Sequence, residues 1–135
     1  MKRVTGIGGI FIKSKDPARL KAWYREHLGM DVQDWGGMTF PWHTPESPNP
    51  DGMTVWSVFD ASSKYFDPST APFMVNYRVE NLGEVIAALR AEGCDVLDRR
   101  EDGEQGRFGY VVDPEGTLIE LWQPDPADPS QNPPA

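Results

Sequence analysis

The strongest constraint in this sequence is that it repeats itself. A strand-like run, Val4 to Lys15, leads into Asp16, a helical stripe and Gly29; a second run, Phe73 to Val79, leads into Asn81, a helical stripe and Gly93. Gly9 and Met74 stand 65 positions apart, as do Asp16 and Asn81; Gly29 and Gly93, Val32 and Val96, and Trp56 and Glu120 stand 64 apart. Such self-similarity marks a duplicated supersecondary unit. In the first copy Asp16-Pro17 starts a helix, because Asp accepts orphan amide hydrogen bonds and Pro suits the first helical turn. Leu20, Trp23, Tyr24 and Leu28 then form one apolar stripe. In the second, Asn81 caps a helix striped by Leu82, Val85, Ile86 and Leu89. Strand-like runs follow each helix: Met30–Val32, Met38–Trp42 and Met53–Phe59, then those opening at Asp95-Val96 and flanking the turn at Asp113. The pattern predicts an α+β fold of two βαβββ modules, at about 4–60 and 72–123, within one domain of residues 1–123. Each module has one helix for one sheet face. The other faces must cover each other or a ligand, so two curved sheets side by side would enclose a cleft.

The last repeat carries the most unusual residue. RFGYVVDPEGTLIELWQP, from Arg107 to Pro124, reads as a hairpin, with Asp113-Pro114-Glu115-Gly116 as its turn. In the returning strand Leu118, Glu120 and Trp122 share one face, and Ile119 and Leu121 the other. Glu120 is a carboxylate on an otherwise apolar face. It must be solvated in a cavity, paired or metal-bound, unless that face simply looks into water.

Charge and composition exclude several classes. The net charge of −8 offers nothing to offset phosphate repulsion, and Arg99-Arg100 is followed at once by Glu101-Asp102, so no nucleic-acid partner is expected. No apolar run is long enough to span a membrane, and the N-terminus lacks the apolar core of a secretory signal. A single cysteine, Cys94, fits a reducing cytoplasm and reads as a small buried residue after a helix. His27, at the edge of the first stripe, reads as half-buried packing. Residues 43–52 read as a proline-rich loop, and 62–71, SSKYFDPSTA, as a linker. The tail 124–135 has too little apolar surface to offset ordering entropy and is expected to be disordered or extended.

Three segments resemble the vicinal oxygen chelate superfamily, which includes glyoxalase I, bleomycin-resistance proteins and extradiol dioxygenases. They are GIGGIFIKSKDPARLKAWYREHLGM, FMVNYRVENLGEVIAALRAEGCDV and DPEGTLIELWQP. The resemblance covers residues 4–124 and implies paired modules in an open, glyoxalase-like barrel, often dimeric. It also implies a metal held by inward residues of four strands. Carried over, those positions fall on Gly9, Trp56, Met74 and Glu120, of which Glu120 alone suits a hard or borderline divalent ion. No metal or other cofactor is therefore expected, with His43 on its loop as a candidate ligand outside the family pattern. Strand parity puts Phe11, Lys13, Trp56, Met74, Asn76, Arg78, Glu120 and Trp122 inward, with Phe40 or Trp42 and Tyr110 nearby. The expected ligand-binding set is Phe11, Trp42, Trp56, Met74, Asn76, Arg78, Tyr110 and Trp122, with Glu120 as the candidate catalytic group. That is the make-up of a small-molecule site, unless Trp56 and Met74 collapse into core. The expected protein is a cytoplasmic homodimer that binds, or transforms without metal, a small aromatic or apolar molecule. The alternatives are a metal-dependent lyase or dioxygenase and a structural module with a filled cleft.

Overall fold

A computed structural model describes residues 3–42 and 52–124. The expected loop around His43, apart from Gly52, and the tail beyond Pro124 lie outside the described residues. The chain runs β1 (Val4–Ser14), α1 (Pro17–Leu28), β2 (Gly37–Pro41), β3 (Met53–Asp60), β4 (Phe73–Val79), α2 (Leu82–Ala91), β5 (Asp95–Gly103), β6 (Gly106–Val112) and β7 (Leu118–Gln123). All the strands join one mixed sheet of 7 strands in the order β2-β3-β1-β4-β7-β6-β5, which does not close into a barrel. The repeat is visible in that order. β1 pairs with β3 in parallel, β4 pairs with β7 in parallel, and β1 and β4 meet antiparallel at the centre.

The local signals behave as their chemistry requires. Asp16 Oδ1 accepts from the Arg19 amide at 3.1 Å, and Asn81 Oδ1 accepts from the Glu84 amide at 3.1 Å. Gly29 closes α1 with φ of 65°, a left-handed conformation that costs glycine little. In the β6–β7 turn the Asp113 carboxylate accepts from the Glu115 and Thr117 amides at 2.8 and 3.0 Å.

Four expectations are corrected. The first module is βαββ rather than βαβββ, because Asp31-Val32 forms no strand. The Val32 carbonyl instead accepts from the Arg25 guanidinium at 2.8 and 3.0 Å, so the equivalent of β5 has no ladder to join. Helix α1 buries none of its residues: Trp23 is 47% exposed, and Tyr24 packs its ring 4.8 Å from that of Trp56. By contrast α2 buries Leu82 and Ile86 against Val79, Val111 and Leu121. His27 is exposed beside Trp23, and Cys94 is exposed at the α2–β5 turn, so neither is a packing residue.

The fourth correction is the segment read as a linker. It carries Phe66, wholly buried among Phe11, Met74, Tyr110 and Leu118, with Phe59 ring-to-ring at 5.2 Å. The segment crosses the sheet face opposite the helices and plugs one end of the concavity. Phe66→Ala removes most of that plug. It should lower unfolding free energy by about 3–5 kcal/mol in urea titrations, the usual range for a buried Phe truncation; a change below about 1 kcal/mol would show that the segment is not part of the core.

Candidate functional site

The site is laid out by register. Backbone pairing sets Thr39, Val55, Gly9, Asn76, Glu120 and Tyr110 side by side across β2, β3, β1, β4, β7 and β6. Directly paired residues point to the same face, so this row runs across the face opposite the helices. Residues from both flanks of the sheet line a common cleft of about 450 Å³, which requires the sheet to curve. Its wall is largely apolar: Phe11, Trp35, Met53, Val55, Phe108 and Trp122. Thr39, Asn76, Gln105 and Glu120 supply polar side chains, and Gly8 lies at the floor.

Room for the floor comes from a glycine. A register shift between Ile7 and Gly9 makes Gly8 the extra residue of a bulge. A Cβ at Gly8 would lie 2.3 Å from Asn76 Oδ1, 2.7 Å from the Trp122 ring and 2.9 Å from Arg78 Cγ. Without one, Asn76 and Trp122 can close in over β1.

Glu120 is 1% exposed and sits where cleft and core meet. Its Oε1 accepts from Asn76 Nδ2 at 2.7 Å, and its Oε2 from Tyr110 Oη at 2.8 Å and from Tyr65 Oη. The Asn76 amide orientation follows, since its NH2 must face the carboxylate. That leaves Asn76 Oδ1 buried without a hydrogen-bond donor among the described residues. Behind the pair of hydroxyls, Tyr110 Oη lies 2.8 Å from Glu101 Oε2 and 2.9 Å from Tyr65 Oη. Arg99 pairs with Glu101 at 2.9 Å, and its guanidinium lies 4.5 and 4.0 Å from the ring centres of Tyr65 and Tyr110.

Proton counting constrains this cluster. Two phenolic protons cannot serve all of the contacts among Tyr65, Tyr110, Glu101 and Glu120. A proton on Glu120 adds a third donor and gives a chain from Glu120 to Tyr65, Tyr65 to Tyr110 and Tyr110 to Glu101, with the Tyr110–Glu120 contact the one left without a proton. The electrostatics favour that state. Burial pushes the Glu120 carboxyl above the ordinary carboxylate value; hydrogen bonds from Tyr65, Asn76 and Tyr110 pull against the rise, and the Glu101 charge adds to it. Burial, and then the charge of Glu120, push both tyrosine hydroxyls up, so they stay protonated.

The expected residues therefore separate into groups. Phe11, Asn76, Glu120 and Trp122 line the cleft. Met74 and Tyr110 face the same side but are sealed into the core with Phe66. Trp42 and Arg78 lie beyond the cleft: the Arg78 guanidinium is 5.0 and 5.3 Å from the ring centres of Trp42 and Trp122, and the Trp42 indole donates to Thr54 at 2.9 Å. Lys13 lies over the Phe66 ring at 5.0 Å. Trp56 is on the wrong face, paired with Ile10 and covered by Tyr24. Phe40 pairs with Thr54 and is exposed, outside the cleft lining. Sequence reasoning missed Tyr65, Glu101 and Arg99, which lie in a linker-like segment and an exposed strand. The only signal was the aromatic pair Tyr65-Phe66 in an otherwise polar stretch.

Of the four implied metal positions, Gly9, Met74 and Glu120 lie on the cleft face of the sheet, while Trp56 lies on the other, with Val55 beside Gly9 in its place. One carboxylate, a thioether, a valine and a glycine, even with the Asn76 amide beside them, do not make a divalent-metal centre of the zinc or non-haem iron type. Among the described residues no group of three His, Cys, Asp or Glu side chains could hold a metal ion.

A paired-module sheet with a one-sided cleft defines the class: a glyoxalase-like fold of the vicinal oxygen chelate superfamily. The model for the glyoxalase-like domain matches residues 9–122, and the chain belongs to that family. No curated protein matches it. Among solved structures it is similar to methylmalonyl-CoA epimerase from Mycobacterium tuberculosis, at 22% identity and a TM-score of 0.63 over 93% of this chain and 92% of that one. A Streptomyces coelicolor methylmalonyl-CoA epimerase in complex with 2-nitronate-propionyl-CoA matches at 18% identity and a TM-score of 0.66, over 97% and 99%. The 2,3-dioxygenase LapB from Pseudomonas sp. KL28 matches at 20% and 0.65, over 92% of this chain and 42% of that one. Likeness at these identities establishes the fold.

The raised Glu120 value gives a signed expectation. The folded state holds this proton more tightly than the unfolded chain, so its contribution is present below the unfolded carboxylate value and is lost as pH rises through the folded one. Glu120→Gln should raise the melting temperature above that window, with a gain that shrinks as pH falls through it. A gain independent of pH, or a loss at high pH, would contradict a buried carboxylate that favours its proton.

Proposed function

We propose that this protein binds a small molecule with an aromatic or extended apolar body in the cleft, without using a metal. The observation that carries the reading is Glu120, a nearly inaccessible carboxylate beside the undonated Asn76 oxygen, at the floor of an apolar cleft of about 450 Å³. That volume is within the range of ordinary ligand sites. Apolar walls supply affinity, and two adjacent acceptors fix the orientation of a donor-bearing ligand. The row itself, with Gly9, Val55 and Asn76 beside Glu120, supports metal independence.

A second reading has its own support. The hydroxyl pair behind Glu120 keeps a proton within reach of the cleft, the arrangement of a general acid or base. The two readings separate on Glu120→Gln: catalysis requires lost turnover with binding retained, whereas binding requires weaker affinity with the fold intact. We favour binding.

The rest of the proposal concerns setting and assembly. The net charge of −8 does not suit nucleic acid, and no described helix is long and apolar enough to cross a membrane. A cytoplasmic homodimer fits the single exposed cysteine and the exposed Ile7, Ile10 and Phe73 on the helix side of the sheet. Sedimentation at micromolar concentration should give a dimer mass; a monomer throughout would refute that part alone.

Two measurements test the site. Mass spectrometry of small molecules released from the purified protein should find an apolar or aromatic compound, depleted from preparations of Glu120→Gln. Elemental analysis after growth with zinc, nickel, manganese and iron should give well below one equivalent. A stoichiometric metal removed by Glu120→Ala would overturn the metal-free reading.

A further inference from the structure

The polar chemistry of the cleft has one sign. Among the described residues Glu120 is the one ionisable side chain that lines it, and Oε1 has a single donor there, Asn76 Nδ2. Beside it is Asn76 Oδ1, on a side chain 1% exposed, with no donor among the described residues. Both groups accept hydrogen bonds. Phe11, Trp35, Phe108 and Trp122 also line it, and the face of an aromatic ring attracts cations. Among the described residues the cations around the cleft are engaged elsewhere: Lys13 lies over the Phe66 ring. Arg78 is slotted between Trp42 and Trp122, and Arg99 is behind the tyrosines, paired with Glu101; neither lines the cleft.

An anionic ligand would meet the acceptor oxygens of Glu120 and Asn76 and, among the described residues, no lining cation. A neutral alcohol could donate once. A protonated amine offers several N–H donors and neutralises the carboxylate. Resting on the small-molecule reading above, we infer that the cleft takes an organic cation: a protonated amine carried on an aromatic body, with its ammonium group between Glu120 Oε1 and Asn76 Oδ1 and its body against the ring wall.

Binding then exchanges one positive charge for another. Below its raised titration range, unliganded Glu120 holds a proton within the chain that runs through Tyr65 and Tyr110 to Glu101. When the ammonium enters, that proton leaves to solvent, the Glu120 carboxylate accepts from Tyr65 and Tyr110, and no covalent bond to carbon changes. The groups facing Glu120 from the packed elements are Asn76 on β4, Tyr110 on β6 and Tyr65 on the crossing segment, with Glu101 and Arg99 on β5 one contact further away.

The experiment compares three probes of similar size by calorimetry on the full chain at pH 8: 2-phenylethylamine, 2-phenylethanol and 3-phenylpropionate. The amine should bind about tenfold or more tighter than the alcohol, the scale of one charge-assisted hydrogen bond, and the carboxylate weakest. Repeating the amine titration from pH 5 to pH 8 in buffers of different ionisation enthalpy should show proton release on the acid side of the Glu120 titration, and affinity for the amine should rise with pH through it while the alcohol's does not. Glu120→Gln should bring amine and alcohol to equal affinity; Asn76→Leu should reduce the preference while leaving the pH dependence. The buffer and pH arms need no substitution, so a variant that fails to fold does not rescue the idea. Equal affinity for amine and alcohol in the unaltered protein, or preference for the carboxylate, overturns the cation assignment while the apolar cleft stands. If none of the three binds at millimolar concentration, both the assignment and the small-molecule reading fail.

Discussion

The antiparallel pairing of β1 with β4 holds the structure together. It joins two modules that each have one helix and one uncovered sheet face, and it makes one continuous sheet out of them. A cleft in this fold depends on that seam, because residues of both modules line it. The seam also contains the bulge at Gly8, where a side chain would collide with Asn76, Trp122 and Arg78. A glycine at the centre of the sheet is usually a weakness. Here it makes the space in which an amide and an indole approach the backbone of β1.

Burial of Glu120 is the second dependency, and it comes at a cost. A carboxylate that is 1% exposed is tolerated only with strong partners. They come from distant parts of the chain: Asn76 from the neighbouring strand, Tyr110 from the hairpin partner, and Tyr65 from the segment between modules. That segment has two roles. Phe66 fills one end of the concavity as core, and Tyr65, next to it, reaches the carboxylate. Packing and site chemistry are thus coupled, since displacement of the segment exposes the core and strips a hydrogen-bond partner from Glu120 together.

The two modules have diverged in the ways that matter for function. The second keeps a full helix–sheet core under α2, while α1 lies with its Trp23 and Leu28 exposed. The first module lacks a strand equivalent to β5, so its edge of the sheet ends at β2. The asymmetry extends to the cleft. The second module brings Asn76, Glu120, Phe108 and Trp122; the first brings Phe11, Trp35, Thr39, Met53 and Val55, none of them ionisable.

Much of this was legible in the chain itself. Helix caps at Asp16 and Asn81 and the turn at Asp113 are local signals, set by hydrogen bonds and dihedral preferences within a few residues; the repeat grouped the elements into two modules, although the first has one strand fewer than the repeat implied. The isolated carboxylate of Glu120 on an apolar strand face was likewise visible, as was the company of Phe11, Asn76 and Trp122. Trp56 shows where that reading stops. Both faces of β3 are apolar, Thr54-Trp56-Val58 and Val55-Ser57-Phe59, so alternation defines two faces without saying which one looks inward. Only pairing of Gly9 with Val55 and of Ile10 with Trp56 decided it. Tyr65 and Glu101 were hidden for a related reason: their roles arise from contacts 55 residues apart along the chain in the first case, and across a hairpin to Tyr110 in the second. The sequence by itself determined the modules and the buried charge. Tertiary structure decided which side chains surround that charge, because register and long-range packing are properties of the assembled sheet and not of any one strand.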